Sequence, residues 1–233
     1  MTASRTVLSK PLTSRGVVTR QRIVEVAARL MYANGAEATS LDDVCAEAKV
    51  SKSQLYHYFV DKEALVREVI AAQTERVLAA QEPSIGKLDS RAALRSWADA
   101  ILALNRATPG GCPLGSLASE LANQSEATRA QLVAGFDAWA DRLTRGFTVM
   151  QTRGELSPSA SPRDLATSVL AAVQGGLLLA KTAHSPAPLA LALNMAVEHV
   201  DAQRRVRSRR IDAARTLLNR RRRPQTARNS RNE

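Results

Sequence analysis

Between Ser51 and Lys62 the chain places Lys52, Ser53, Gln54, Tyr56, His57 and Lys62 close together, a dense run of hydrogen-bond donors and acceptors with little apolar surface between them. Lys52 can donate to O6 and N7 of a guanine, and Ser53 can donate or accept at a base edge. The Tyr56 hydroxyl is a suitable phosphate donor, and Lys62 brings its charge to the start of a helix. This is recognition chemistry, not catalysis. No Ser/His/Asp arrangement or cofactor loop accompanies it, and Gly110-Gly111 lacks the strand and spacing of a phosphate loop. His57, His184, His199, Cys45 and Cys112 show no metal-ligand spacing. The residues imply neither an enzyme nor a bound cofactor or metal.

The elements needed to present such a face are legible around it. Leu41, Val44, Cys45 and Ala48 recur at helical spacing, with Ser40 as N-cap and Asp43 three residues on. Lys49-Val50-Ser51 breaks that period, Val50 being the apolar residue available to plug the turn. Ser51 then caps a second short helix, with Gln54 completing a second capping box. Leu55 and Phe59 are its buried side, which leaves Lys52, Ser53, Gln54, Tyr56, His57 and Tyr58 outward. A preceding helix begins near Thr19, buries Ile23, Val26, Ala27, Leu30 and Met31, and ends at Gly35. Arg20 and Arg22 on its outer side are candidates for phosphate, as are Thr39 and Ser40. Three such helices make a helix-turn-helix unit whose last helix enters a major groove of double-stranded DNA.

Thr39 to Val44, Ala48 with Val50-Ser51, Leu55 to Phe59 and Lys62 to Leu65 match in register the signature of the TetR family of bacterial transcriptional regulators, which this chain resembles. Gln54, Tyr56 and His57 fall where similar proteins make backbone or mixed contacts, and Lys62 resembles the family's phosphate-clamping lysine. The resemblance implies a homodimeric, cytoplasmic, ligand-responsive repressor that binds a palindromic operator. One departure stands out: Lys49 occupies a turn position where the family usually has glycine. A left-handed lysine there costs about 1 kcal/mol, or supplies a further cation beside the DNA backbone.

Beyond Lys62 the periodicity predicts a long helix to about Gln81, ending before Pro83, and five or six more helices to residue 200. Ser125-Glu126, Ser161-Pro162 and Ser185-Pro186 mark helix starts. Runs of β-branched strand residues are missing, so the fold expected is all-α: a three-helix DNA-binding domain followed by a helical ligand-binding and dimerisation domain. Helix count and order there fit the family, which varies widely in this half. Trp97, Leu102, Leu117, Leu121, Phe136 and Trp139 are the foremost candidates to line an effector pocket, whose apolar character suits a lipophilic small molecule. The segment 170–181 carries paired glycines inside an apolar helix. Gln174, Gly175, Gly176 and Leu179 are therefore candidates for a dimer interface, with close helix approach offsetting about 1 kcal/mol per glycine.

Cys112 precedes Pro113 as the N-cap of another helix, where amides and dipole lower a thiol's pKa. GCPLGSLA-type segments recur in a subgroup of TetR-like regulators, some of which sense electrophiles or oxidants through cysteine. Cys112 is thus a possible sensor, or a small buried residue; Cys45 is core.

The net charge of +11 is unevenly placed. Residues 201–233 hold 12 Lys+Arg against 3 Asp+Glu, whereas the preceding 200 hold 21 against 19. The boundaries expected are a mobile basic arm at 1–18 with Arg5, Lys10 and Arg15, a DNA-binding domain at 19–62, an effector and dimerisation domain at 63–200 and a basic tail at 201–233. Arg204 to Arg223 would add salt-sensitive phosphate affinity, and Ile211, Ala214, Leu217 and Leu218 would make a short amphipathic helix. That tail leaves an architectural, sequence-tolerant DNA binder as the alternative class. Two cysteines make no disulfide framework, no secretory signal opens the chain, and no apolar run was expected to span a bilayer, which together favour the cytoplasm and no membrane partner.

Overall fold

A computed structural model describes residues 13–203. The arm with Arg5 and Lys10, and the tail with Arg204 to Arg223 and its Ile211, Ala214, Leu217 and Leu218 pattern, lie outside the described residues. Among the described residues nine helices follow one another and no strand is present: α1 (Ser14–Asn34), α2 (Leu41–Ala48), α3 (Lys52–Tyr58), α4 (Lys62–Ile85), α5 (Arg91–Ala107), α6 (Pro113–Leu121), α7 (Glu126–Thr152), α8 (Pro162–Ala183) and α9 (187–203).

Local chemistry explains most boundaries. Ser40 Oγ accepts from the Asp43 amide while Asp43 accepts from the Ser40 amide, and Ser51 with Gln54 repeats the reciprocal box. Asp61, Ser90, Ser125 and Ser161 cap α4, α5, α7 and α8 in the same way, each side chain accepting from an amide three residues on. Gly35 closes α1 by donating its N–H to Met31 O.

Two helix ends differ from the expected ones. α1 begins at Ser14, capped by Thr13, rather than near Thr19. Its first turns expose Val17 and Val18, so no buried stripe announces them. α4 carries Pro83 inside its last turn and ends at Ile85. Proline removes one hydrogen bond there, a small loss where the helix is about to stop and Ala79, whose carbonyl is freed, is exposed.

α4 forms the spine. It packs against α1 on the DNA-binding side and against α5, α6 and α7 on the other. The core is continuous from Ile23, Leu55 and Phe59 through Leu65 and Val69 to Trp97, Trp139, Leu143 and Phe147. α8 lies along α7, and α9 covers part of α8. In length and composition α8 would suffice to cross a membrane, contrary to the expectation that no run would; 44% of its most apolar window is buried against the rest of the protein. The core thus accounts for part of its hydrophobicity, and Leu178 and Leu179 remain exposed.

Candidate nucleic-acid interface and effector cavity

The face presented by α3 rests on Leu55, fully buried, and Phe59 at the helix end, 2% exposed. These two join the core while α3 packs against α2, and Arg20 of α1 lies over the Phe59 ring at 5.3 Å. Lys52, Ser53, Gln54, Tyr56 and His57 are all exposed, whereas Tyr58 packs partly against the core. His57 meets Tyr58 edge to face at 5.1 Å, which braces the end of the helix. Gln54 contributes its Oε1 to the capping box at 3.0 Å from Ser51 N, so its carboxamide NH₂ is the part left for a ligand.

Lys52 is not idle. Its Nζ lies 2.8 Å from Asp42 Oδ1, and that hydrogen bond raises the lysine's pKa above its ordinary value. Any other partner of Lys52 must therefore displace Asp42. Lys49 adopts φ 52° and ψ 51°, the left-handed conformation expected at this turn, and its amide donates to Ala46 O and Cys45 O.

Several expected phosphate contacts are occupied elsewhere. Thr39 is 1% exposed and its hydroxyl donates to Gly35 O at 2.8 Å, so this side chain holds the loop before α2 instead of facing DNA. Arg20 pairs with Glu68 at 2.7 Å, while Arg22 remains exposed. Lys62 donates to Glu37 O at 3.1 Å, tying the same loop to the start of α4. Ser40 is exposed, though its hydroxyl serves Asp43.

A joint between the two halves was not legible in the sequence. Glu120, at the end of α6, accepts from the Ala36 amide at 2.6 Å; Gln124 donates to Glu37 at 3.0 Å and Ser125 to Glu63 at 2.6 Å. These polar residues carry no spacing signal because their partners lie 62 to 87 positions away. The other end of α6 borders an open cavity of about 580 Å³ lined by α1, α4, α5, α7 and α8, with Tyr32, Gln73, Val77, Ile101, Cys112, Trp139 and Leu177 among its lining.

Of the six pocket candidates, Trp139 lines this cavity. Trp97 is buried behind it and donates its indole N–H to Gln81 Oε1 at 3.1 Å. Leu117 and Leu121 belong to the core, with Leu102 and Phe136 half-buried against it. An apolar residue at helical spacing reads the same whether it fills a core or walls a void, and the contributions of α1 and α8 were not anticipated. Gln73 and Gln81 did leave a signal: with Leu65, Val69 and Val77 they form one i, i+4 stripe of α4, on which only a polar task accounts for glutamine.

Cys112 is the N-cap of α6, its Sγ accepting from Gly115 N at 3.4 Å. Burial nonetheless dominates: it raises the thiol's pKa, with the Gly115 amide and Gln174 opposing only in part. The lowered thiolate pKa expected of a cap is not realised. Burial likewise raises the Cys45 thiol.

The glycine pair also resolves differently from expectation. A Cβ on Gly176 would lie 2.9 Å from Ala192 Cβ, so the close helix approach is by the chain's own α9. Gln174 turns inward too, its Oε1 2.6 Å from where a Cβ on Gly115 would be. Gly175 and Leu179 face out, beside exposed Leu178, Leu191 and Met195.

A recognition helix anchored on three-helix packing and joined through a long helix to a larger helical domain defines a helix-turn-helix DNA-binding regulator. The model for bacterial regulatory proteins of the tetR family matches residues 23–69, and that for tetracyclin repressor-like C-terminal domains matches 88–196. The chain belongs to the TetR family of transcriptional regulators. It is 25% identical over 173 residues to the transcriptional repressor DhaR of Mycobacterium sp. strain GP1, covering 73% of this chain and 86% of that protein. With the uncharacterized regulator YxaF of Bacillus subtilis it shares 29% over 184 residues, 77% of this chain and 93% of the relative. A solved TetR-family regulator from Cytophaga hutchinsonii superposes with TM-score 0.73 at 19% identity, covering 84% of this chain and 98% of that one, a likeness of fold.

Proposed function

We propose that this regulator is a cytoplasmic homodimeric repressor that reads a palindromic operator through α3 and is released by a lipophilic small molecule held in the 580 Å³ cavity. The observation that carries the DNA reading is the outward face of Lys52, Ser53, Gln54, Tyr56 and His57 on a helix pinned by Leu55 and Phe59. Dimerisation is supported by Leu178, Leu179, Leu191 and Met195, each more than half exposed on adjoining helices. A two-fold pairing of that face sets two α3 helices to read two half-sites.

The effector's route to DNA runs along α6. Cys112 and Pro113 at its start wall the cavity, while Glu120 near its end and Gln124 just beyond it hold the Ala36–Glu37 loop. A ligand that binds better when α6 is displaced favours the form whose recognition helices are mis-set for the operator. Thiol sensing by Cys112 is not supported by its burial. Selection of DNA fragments by the full-length protein against excess non-specific competitor tests the function: enrichment of one palindromic sequence is expected, and enrichment of none would oppose it.

A further inference from the structure

Gln73, Gln81 and Trp139 line the cavity and Trp97 is hydrogen-bonded to Gln81 behind it, and of these two glutamines and two indoles only Gln81 and Trp97 are paired. Gln73 and Gln81 lie on the same stripe of α4, and each is 4% exposed. Gln81 is fully engaged: its Oε1 accepts from Trp97 Nε1 at 3.1 Å and its Nε2 donates to Val77 O at 3.1 Å. The other two are open. Gln73 Oε1 has no partner, and neither has Nε1 of Trp139, which is 2% exposed. Both residues line the one cavity. A buried acceptor and a buried donor left unmade are each unfavourable, and in native structures such groups call for a missing partner.

We propose that the effector is an apolar molecule bearing a hydroxyl, an alcohol or a phenol, whose O–H donates to Gln73 Oε1 and whose oxygen accepts from Trp139 Nε1. A hydroxyl is the smallest group that both donates and accepts, which is what an unpaired acceptor and an unpaired donor on one cavity call for. The remainder of the ligand lies against Val77, Ile101, Leu104 and Leu177. An ether accepts without donating, and a hydrocarbon does neither. A carboxylate would bring negative charge to the Gln73 carbonyl oxygen, although Arg76 at the cavity lining offers it a cation.

The hydroxyl preference presupposes the effector role proposed above, and it is measured on the protein alone. Failure here therefore leaves operator selection intact, and failure of operator selection leaves the binding result intact. Equilibrium dialysis of the full-length protein compares para-phenylphenol, its methyl ether, biphenyl and para-phenylbenzoate. The phenol is expected to bind about tenfold tighter than the ether or biphenyl, a ratio equivalent to ~1.4 kcal/mol. Gln73→Met and Trp139→Phe, which keep the volume roughly filled, should each lower the phenol towards the level of biphenyl while leaving biphenyl itself little changed. Equal binding of all four, tighter binding of the carboxylate, binding of none, or a phenol preference that survives both substitutions would overturn the proposal. The wild-type series decides on its own if either variant fails to fold.

Discussion

Lys49 holds the turn between α2 and α3 at φ 52°, a conformation in which a side chain is disfavoured relative to glycine. Lys49→Gly is expected to stabilise the protein by about 1 kcal/mol. That should raise the thermal midpoint by about 2–4 °C in a chain of this size, read by thermal unfolding. On the proposed reading, Asp42, 2.8 Å from Lys52, competes with DNA for it. Removing that competitor frees the lysine and lifts a negative charge from the interface. Asp42→Asn should therefore tighten DNA binding by about two- to fivefold, the range set by an exposed ion pair. Unchanged or weaker binding in a titration at fixed salt would show that Lys52 does not meet the nucleic acid. The types and spacing of Lys52, Ser53, Gln54, Tyr56 and His57 showed an outward polar face in advance. What those types could not show is prior engagement, which for Thr39, Arg20 and Lys62 depends on Gly35, Glu68 and the Glu37 carbonyl.

At the scale of elements, α6 is the short piece with the most consequential ends. Glu120 accepts the Ala36 amide, a charge-assisted and partly buried bond, and Glu120→Ala should cost about 1 kcal/mol of stability. The sharper expectation is local: hydrogen exchange at Ala36 should quicken while the amides of α7 keep their protection. Equal quickening throughout would mean that the contact is not a discrete joint. Helices were legible here because caps and apolar periods are local; Ser125, Ser161 and the Cys112-Pro113 pair marked three starts correctly. The cavity was not, because a void is a property of how six segments fail to meet. Gly176 illustrates the same limit: sequence announces a close approach without saying whether the neighbour is α9 or another molecule.

For the whole molecule, two-fold reading of an operator requires a second copy over α8 and α9. Leu191, 71% exposed, sits in that face. Leu191→Asp would place an unpaired charge in an apolar interface and is expected to weaken the dimer by at least about 100-fold. Sedimentation velocity at micromolar protein should show a dimer for the wild type and a monomer for the variant, with operator binding reduced in parallel. A wild-type monomer would remove the two-fold reading of DNA. The net charge of +11 resides mostly in residues 201–233, so bulk basicity and sequence recognition are separable in the same chain. Footprinting of a selected DNA fragment, at near-physiological salt with excess competitor, separates them most directly. The expected result is a protected palindrome that survives removal of residues 204–233 and is lost in Tyr56→Ala. Uniform weak protection, indifferent to Tyr56 and abolished by removing those residues, would contradict it.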